Sequence, residues 1–303
     1  MNMSIKVTFW GVRGSYPSPG ALTARVGGNT PCVSVQAGNH LIILDAGTGL
    51  IGLGRTLVAQ QQADGKPIDA TLLFSHTHHD HTQGFPFFNP IYLSSTTLHV
   101  FGPRTLHEDL EQVLARAMLP PVFPVTFDQL PCARVMRNLG EGEMIILRNG
   151  NDAPLVYTEH RGGAPIAPDS VVIRFLRSHA HPQGVFIYRI EFVNQAVVYA
   201  TDTEGYASGD QRLINFARGA GLLIHDAQYL QSEYVNQSMP KQGWGHSTWE
   251  MAAQVAQAAG VKQLALFHHE PEHDDATLEQ LEKQAQSKFA CSVLAREGMT
   301  IEL

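Results

Sequence analysis

The apolar run ATLLF ends at Phe74, and the chain then sets four histidines and one aspartate into six positions, HTHHDH from His76 to His81. At the end of a buried strand the backbone is held rigidly while its side chains are released from their neighbours. A scaffold can therefore aim ligands from that point into a cleft. Whatever fold this chain adopts must bury ATLLF and open at its carboxyl end.

The rest of the chain supplies such a frame. IKVTFWG, CVSVQA, HLIILDAG and TLHVFGP read as further strands of the first half, most of them closed by Gly or a polar cluster. GLIGLGRTLVAQQQ and RTLHEDLEQVLARAML carry helical spacing of apolar residues, the second stopping at Leu119 before Pro120 and Pro121. The second half repeats the alternation, with strands VVIRFLRS, VFIYRIEF, AVVYAT, GLLIHDA and VKQLALF and helices QRLINFARGA and WEMAAQVAQAAG. This order predicts an α/β protein of two similar halves, sheet packed on sheet with outer helices. We read residues 1–303 as one domain, with a loop-rich insertion around 120–170 that is rich in Gly, Pro and Asn.

Composition narrows the function classes. With 303 residues, 44% of them hydrophobic, the chain can enclose a site. Charged residues make up 16%, the net charge is -7, and no basic block is present, which predicts a small anionic substrate and no long nucleic acid. Cys32, Cys132 and Cys291 are odd in number and far apart, as free thiols of a reducing cytoplasm are. There is no N-terminal export pattern and no apolar run long enough for a membrane span, so a cytoplasmic location with no membrane partner is expected, and a homodimer is left open.

In H-x-H-x-D-H, two histidines two apart reach one ion from an extended turn, while the Asp80–His81 pair addresses a neighbouring point. Imidazole with carboxylate suits zinc, iron or manganese. Two ions need more ligands than four. Candidates stand at other strand ends: His179 and His181 after VVIRFLRS, Asp202 after AVVYAT, and His268 and His269 after VKQLALF. Each alone is as well explained by a surface histidine or a turn-opening aspartate. Together they are hard to dismiss.

HTHHDH, a later histidine, YATD and a strand-end histidine, in this order, resemble the metallo-β-lactamase superfamily of dinuclear metal hydrolases. KVTFWGVRGSYPSPG and HLIILDAGTGL are similar to the family's opening strands. HPQGVFIYRIEF, AVVYATDTE, LLIHDAQY, GWGHST and LALFHHEPEH are similar to its ribonuclease Z and phosphodiesterase branch. The resemblance implies an αββα sandwich of two mixed β-sheets. It implies His76, His78 and His181 for a first metal, Asp80, His81 and His268 for a second, and Asp202 bridging both. His181 is preferred to His179 because it stands seven residues before Tyr188, as that branch's ligand does, and His79 is left without a ligand role. GHST and IHDAQ match segments that supply a histidine near the leaving group and an acid that orients it, here His246 and Asp226, with aspartate where the branch has glutamate.

The expected cofactors are two divalent ions, Zn2+ first, with Mn2+ or Fe2+ as alternatives. The expected activity is hydrolysis of a small phosphodiester such as a cyclic nucleotide, with His246 as proton donor and Asp80 and Asp226 as the other catalytic residues. Arg13, Arg25 and Asn29 in the Gly-rich stretches are candidates for binding anionic oxygens, and Phe123 and Phe127 for stacking a base. The lack of the basic arm with which ribonuclease Z grips transfer RNA argues for a small substrate. The alternatives are a hydrolase of carboxylic esters, thioesters or lactams on the same site, and a metal-dependent sensor without turnover.

Overall fold

A computed structural model describes residues 4–104, 108–150, 153–158, 166–206 and 209–303. Among these, the first sheet contains β1 (Ile5–Gly11), β2 (Cys32–Ala37), β3 (His40–Leu44), β4 (Ile68–Leu73), β5 (Thr96–Pro103) and β6 (Ala133–Leu139). The second contains β7 (Glu143–Leu147), β8 (Leu155–Thr158), β9 (Val171–Ser178), β10 (Val185–Phe192), β11 (Gln195–Ala200), β12 (Leu222–Asp226), β13 (Gln263–Phe267) and β14 (Ser292–Leu294). Strand β15 (Thr300–Glu302) returns to the first sheet and pairs antiparallel with β1.

The orders are β15-β1-β2-β3-β4-β5-β6 and β14-β13-β12-β11-β10-β9-β7-β8. In each sheet an antiparallel meander gives way to parallel strands, β3 to β6 in the first and β11 to β14 in the second. Parallel neighbours need crossovers. Helices α1 (Gly49–Asp64), α2 (His79–Thr82) and α3 (Leu110–Arg116) follow strands of the first sheet. Helices α4 (Gln211–Ala217), α5 (Gln231–Tyr234), α6 (Trp249–Ala259) and α7 (Asp275–Lys288) follow strands of the second. Two mixed sheets flanked by helices form the αββα sandwich expected from the sequence.

The main core lies between the sheets, where Val7, Phe9, Val33 and Leu44 meet Tyr188, Tyr199, Ile224 and Phe267. A second cluster packs the outer face of the first sheet, through Leu72, Phe74, Leu98 and Val100, against Leu50 and Leu53 of α1 and Leu110 and Leu114 of α3. Each such side chain contributes about 1.5–3 kcal/mol by leaving water. Because both faces of β4 are covered, its ATLL segment reads as a continuous apolar run rather than an alternating one. The sheets are also tied at the edge where that run ends: Tyr188 donates its hydroxyl proton to Phe74 O at 2.7 Å, and Phe186 N donates to Ser75 O at 2.8 Å.

Several sequence expectations change here. The region expected to be a loop-rich insertion contains β6, β7 and β8, with residues 151–152 and 159–165 of it outside the described residues. These strands lie toward one edge of each sheet, where half-exposed positions blur the apolar pattern, as in β6. The helix expected over RTLHEDLEQVLARAML is shorter, α3 starting after its cap Asp109 and ending at Arg116, with residues 105–107 outside the described ones. Helix α7 extends the order beyond the last strand expected; Asp274 accepts from Thr277 N as its cap, and Leu278, Leu281 and Ala285 form its buried stripe. Phe127 is buried against Phe85, and Phe123 packs on Phe87, so both belong to an apolar wall of the second cluster rather than to a stacking platform. No helix among the described residues is long and apolar enough to cross a membrane.

The three residues expected to bind anionic oxygens are engaged within the fold. Arg13 is fully buried and donates to the carbonyls of Gly27 (2.7 Å), Glu270 (3.0 Å) and His273 (2.6 Å). Asn29 donates through its backbone and side chain to Glu297, and Arg25 pairs with Glu279 on the surface. The Gly-rich N-terminal loop is thus a brace between β1 and the segment after β13. Removing the Arg13 guanidinium would leave three inward carbonyls without a charged donor. Arg13→Ala is expected to lower stability by about 3 kcal/mol, read as a fall in urea midpoint at constant m-value.

Candidate metal centre

The carboxyl ends of the parallel strands face one edge of the sandwich, and the expected ligands meet there. Asp45 follows β3; the segment His76–His81 follows β4; His181 follows β9, Asp202 follows β11 and His268 follows β13. His76, His78 and His181 have ligand atoms close enough to share one ion, as do Asp80, His81, Asp202 and His268. Asp202 faces both groups. Its Oδ1 lies 3.2 Å from Nε2 of His81 and of His268, and its Oδ2 lies 3.6 Å from His76 Nε2 and 3.9 Å from His181 Nε2.

Hydrogen-bond chemistry decides which ring nitrogens are free. His81 Nδ1 meets the Asp45 carboxylate at 2.8 Å and His181 Nδ1 meets Gly245 O at 3.1 Å; both partners only accept, so both nitrogens carry the proton. Gln228 Nε2 donates to Glu270, which turns Gln228 Oε1 toward His268 Nδ1 at 3.1 Å. Ser75 Oγ spends its proton on Asp45, so at 3.1 Å it accepts from His76 Nδ1. All four rings therefore direct an Nε2 lone pair at a carboxylate. His78 adds Nδ1, 3.0 Å from His181 Nε2.

Lone pairs facing carboxylate oxygens with no donor between them repel unless a cation intervenes. The Nε2 atoms of His76 and His81 are buried and make no hydrogen bond. Burial pushes His76 well below its ordinary value and His181 down to about 4, so both rings are neutral near pH 7, the form that binds metal. Burial also opposes charge on His81, but Asp202, Asp80 and Asp45 outweigh it and raise that group well above the ordinary range. Burial alone would raise Asp80 and Asp202; the neighbouring histidines instead hold both well below the carboxylate range. The pocket demands positive charge, for which protons and divalent ions compete. Nitrogen and carboxylate donors in this geometry fit divalent metals.

The surroundings hold these groups firmly. Asp45, Asp202 and His268 all have positive φ, at 60°, 49° and 60°, a conformation costing non-glycine residues on the order of 1 kcal/mol or more each and tolerated where packing enforces it. Ser15 N donates to Asp80 Oδ2 at 2.8 Å. A Cβ on Gly14 would collide with the His268 ring, and one on Gly245 with His181. His79 and His179 are exposed, and His269 is buried elsewhere, with Nε2 on Ala295 O.

Beside the two groups, His246 Nδ1 lies 2.8 Å from Asp226 Oδ2, while Asp226 Oδ1 accepts from Ser247 N and Gln228 N. His246 stacks on His268 with ring centroids 5.0 Å apart. Burial pushes His246 down, but the charge and hydrogen bond of Asp226 raise it further, to about 9. The shorter acid therefore reaches the histidine. Asp45 and Gln228 were not singled out from the sequence. Asp45 lies in the strand-end LDAG, the same signal that marked Asp202, whereas an isolated glutamine gives no signal at all. Because Asp45 fixes the His81 tautomer, Asp45→Asn is expected to weaken metal binding about 10- to 100-fold in a chelator competition titration, with the fold intact by circular dichroism.

Comparison with known proteins places this geometry. Residues 40–269 match the β-lactamase superfamily domain. Ribonuclease Z of Pyrococcus abyssi is 27% identical over 292 residues, covering 89% of this chain and 87% of that protein. The metallo-β-lactamase fold protein YhfI of Bacillus subtilis superposes with a TM-score of 0.66 at 22% identity, over 99% of this chain and 100% of that one. The short form of human tRNase Z does so with a TM-score of 0.59 at 19% identity, over 98% of both chains. These relatives overturn the exclusion of long nucleic acids: proteins similar over nearly the whole chain are named as ribonucleases. Net charge was a poor guide because binding depends on where cations lie, and a whole-chain sum does not say. The chain belongs to the β-lactamase superfamily and is a metal-dependent hydrolase of the metallo-β-lactamase fold.

Proposed function

We propose that this hydrolase cleaves phosphodiesters at two divalent ions, zinc first among the candidates. His76, His78 and His181 would hold one ion and Asp80, His81 and His268 the other, with Asp202 available to both. Metals bound there would supply acidification of a water and neutralisation of charge on the phosphoryl oxygens. The His246–Asp226 pair beside these ligands carries the reading. An alkoxide leaving phosphorus needs a proton, and His246 has one to give at neutral pH because Asp226 holds Nδ1–H and stabilises the charged ring. As the new P–O bond forms, the old one breaks and the Nε2 proton passes to the departing oxygen. A lactam or thioester has less need of such a donor.

A cyclic nucleotide or another small diester is the smallest substrate that uses every one of these groups. The ribonuclease Z relatives favour a second substrate for the same chemistry, an RNA phosphodiester. The test is hydrolysis of bis(p-nitrophenyl) phosphate, a cyclic nucleotide and an RNA oligonucleotide by the metal-loaded protein, beside a carboxylic ester, a thioester and a lactam. Good turnover of the latter three with the phosphodiesters untouched would overturn the proposal.

Two outcomes follow for the ligands and the donor. Metal analysis is expected to give two ions per chain, and Asp202→Ala to reduce that number; an unchanged content of two refutes the shared carboxylate. His246→Ala is expected to lower kcat by about 10²–10⁴ with metal content unchanged. Because the pKa of His246 is raised, its acid form persists on the alkaline side and is lost above it. Asp226→Asn removes the charge that raises it, so the alkaline limb of the kcat profile is expected to move to lower pH.

A further inference from the structure

Next to the first ligand group the surface opens into a cavity of about 390 Å³, lined by His76, His78, Arg104, Arg116, Arg177 and Glu108. This is the size of a small-ligand site. In a chain of net charge -7, three guanidinium groups converge on one hollow that borders the reaction site. They come from separate elements: Arg104 follows β5, Arg116 lies in the last turn of α3, and Arg177 lies near the carboxyl end of β9. Arg116 is paired with Glu108 at 2.6 Å. Arg104 and Arg177 have no carboxylate partner among the described residues. The Arg177 guanidinium rests over the Phe186 ring, 5.9 Å from its centroid, so an aromatic face steadies it while its N–H groups have no hydrogen-bond partner among the described residues.

Resting on the phosphodiester reading, we propose that this cavity seats a second phosphate of the substrate, one that is not cleaved, and that Arg104 and Arg177 select diesters carrying it. Guanidinium groups bind phosphate through paired N–H donors, and here they line the same hollow as two of the histidines proposed to hold metal. A phosphate one sugar away from the scissile bond meets this requirement. A terminal phosphomonoester on a small diester and the next backbone phosphate of a nucleotide chain share that chemistry.

The metal-loaded protein is given three substrates: the dinucleotide UpU, its 5′-phosphorylated form pUpU, and the trinucleotide UpUpU. At least one phosphate-rich substrate is expected to exceed UpU in kcat/KM by roughly tenfold, mainly through KM. An advantage of pUpU alone identifies a terminal phosphate, and an advantage of UpUpU alone a backbone one. Arg104→Gln, on an exposed residue that the fold does not need, and Arg177→Gln are each expected to remove most of that margin, with Arg177→Lys restoring part of it. Equal cleavage of all three, or a margin that survives both glutamine substitutions, overturns the inference while leaving the phosphodiesterase reading intact. Cleavage of none of them by wild-type protein that turns over bis(p-nitrophenyl) phosphate or a cyclic nucleotide overturns the inference alone, and cleavage of no phosphodiester at all overturns both.

Discussion

A single carboxylate organises the site. Asp202 turns one oxygen toward His81 and His268 and the other toward His76 and His181, and all four rings answer with lone pairs. Acceptors that converge on acceptors are repulsive in a buried place, so the arrangement is stable only with cations or protons inside it. Everything else nearby works to keep those groups from turning away. Four separate Nδ1 partners lock four tautomers, and the backbone at Asp45, Asp202 and His268 is held in a left-handed conformation that the chain would abandon if it were free.

The sandwich makes this possible through its parallel strands. In both sheets they end at the same edge, so residues far apart in sequence leave rigid strands a few ångströms from each other. The hydrogen bonds from Tyr188 to Phe74 O and from Phe186 to Ser75 O bind the second sheet to the very residues that precede HTHHDH. The N-terminal loop completes the frame. Arg13 anchors it to carbonyls after β13, Gly14 lets it lie against His268, and Ser15 orients Asp80. A stretch with the composition of an anion-binding loop serves to hold ligands instead.

Strands buried on both faces were legible because their apolar runs are continuous and end in Gly or a polar cluster, as ATLLF and GLLIHDA do. Strands β6 to β8 were not, because edge positions expose alternate side chains to water and their composition matches that of loops. The candidate ligands were legible as residue types at strand ends; of the four later histidines His181 and His268 face the cluster, while His179 is exposed and His269 is turned elsewhere. Arg104 and Arg177 were invisible. An isolated arginine has no local pattern, and only the folding of β5 and β9 around one hollow gives the two a common purpose.

The sequence by itself determined the layered α/β class, the metal-seeking character of HTHHDH and the residue types that complete it, because strand periodicity and ligand chemistry are local properties. Only the tertiary structure decided which nitrogen of each ring is free, that Asp202 faces both groups, that Asp226 reaches His246, and that Arg13 and Asn29 support the fold. Those facts depend on distances between segments up to 268 residues apart, which no local pattern encodes and which packing alone sets.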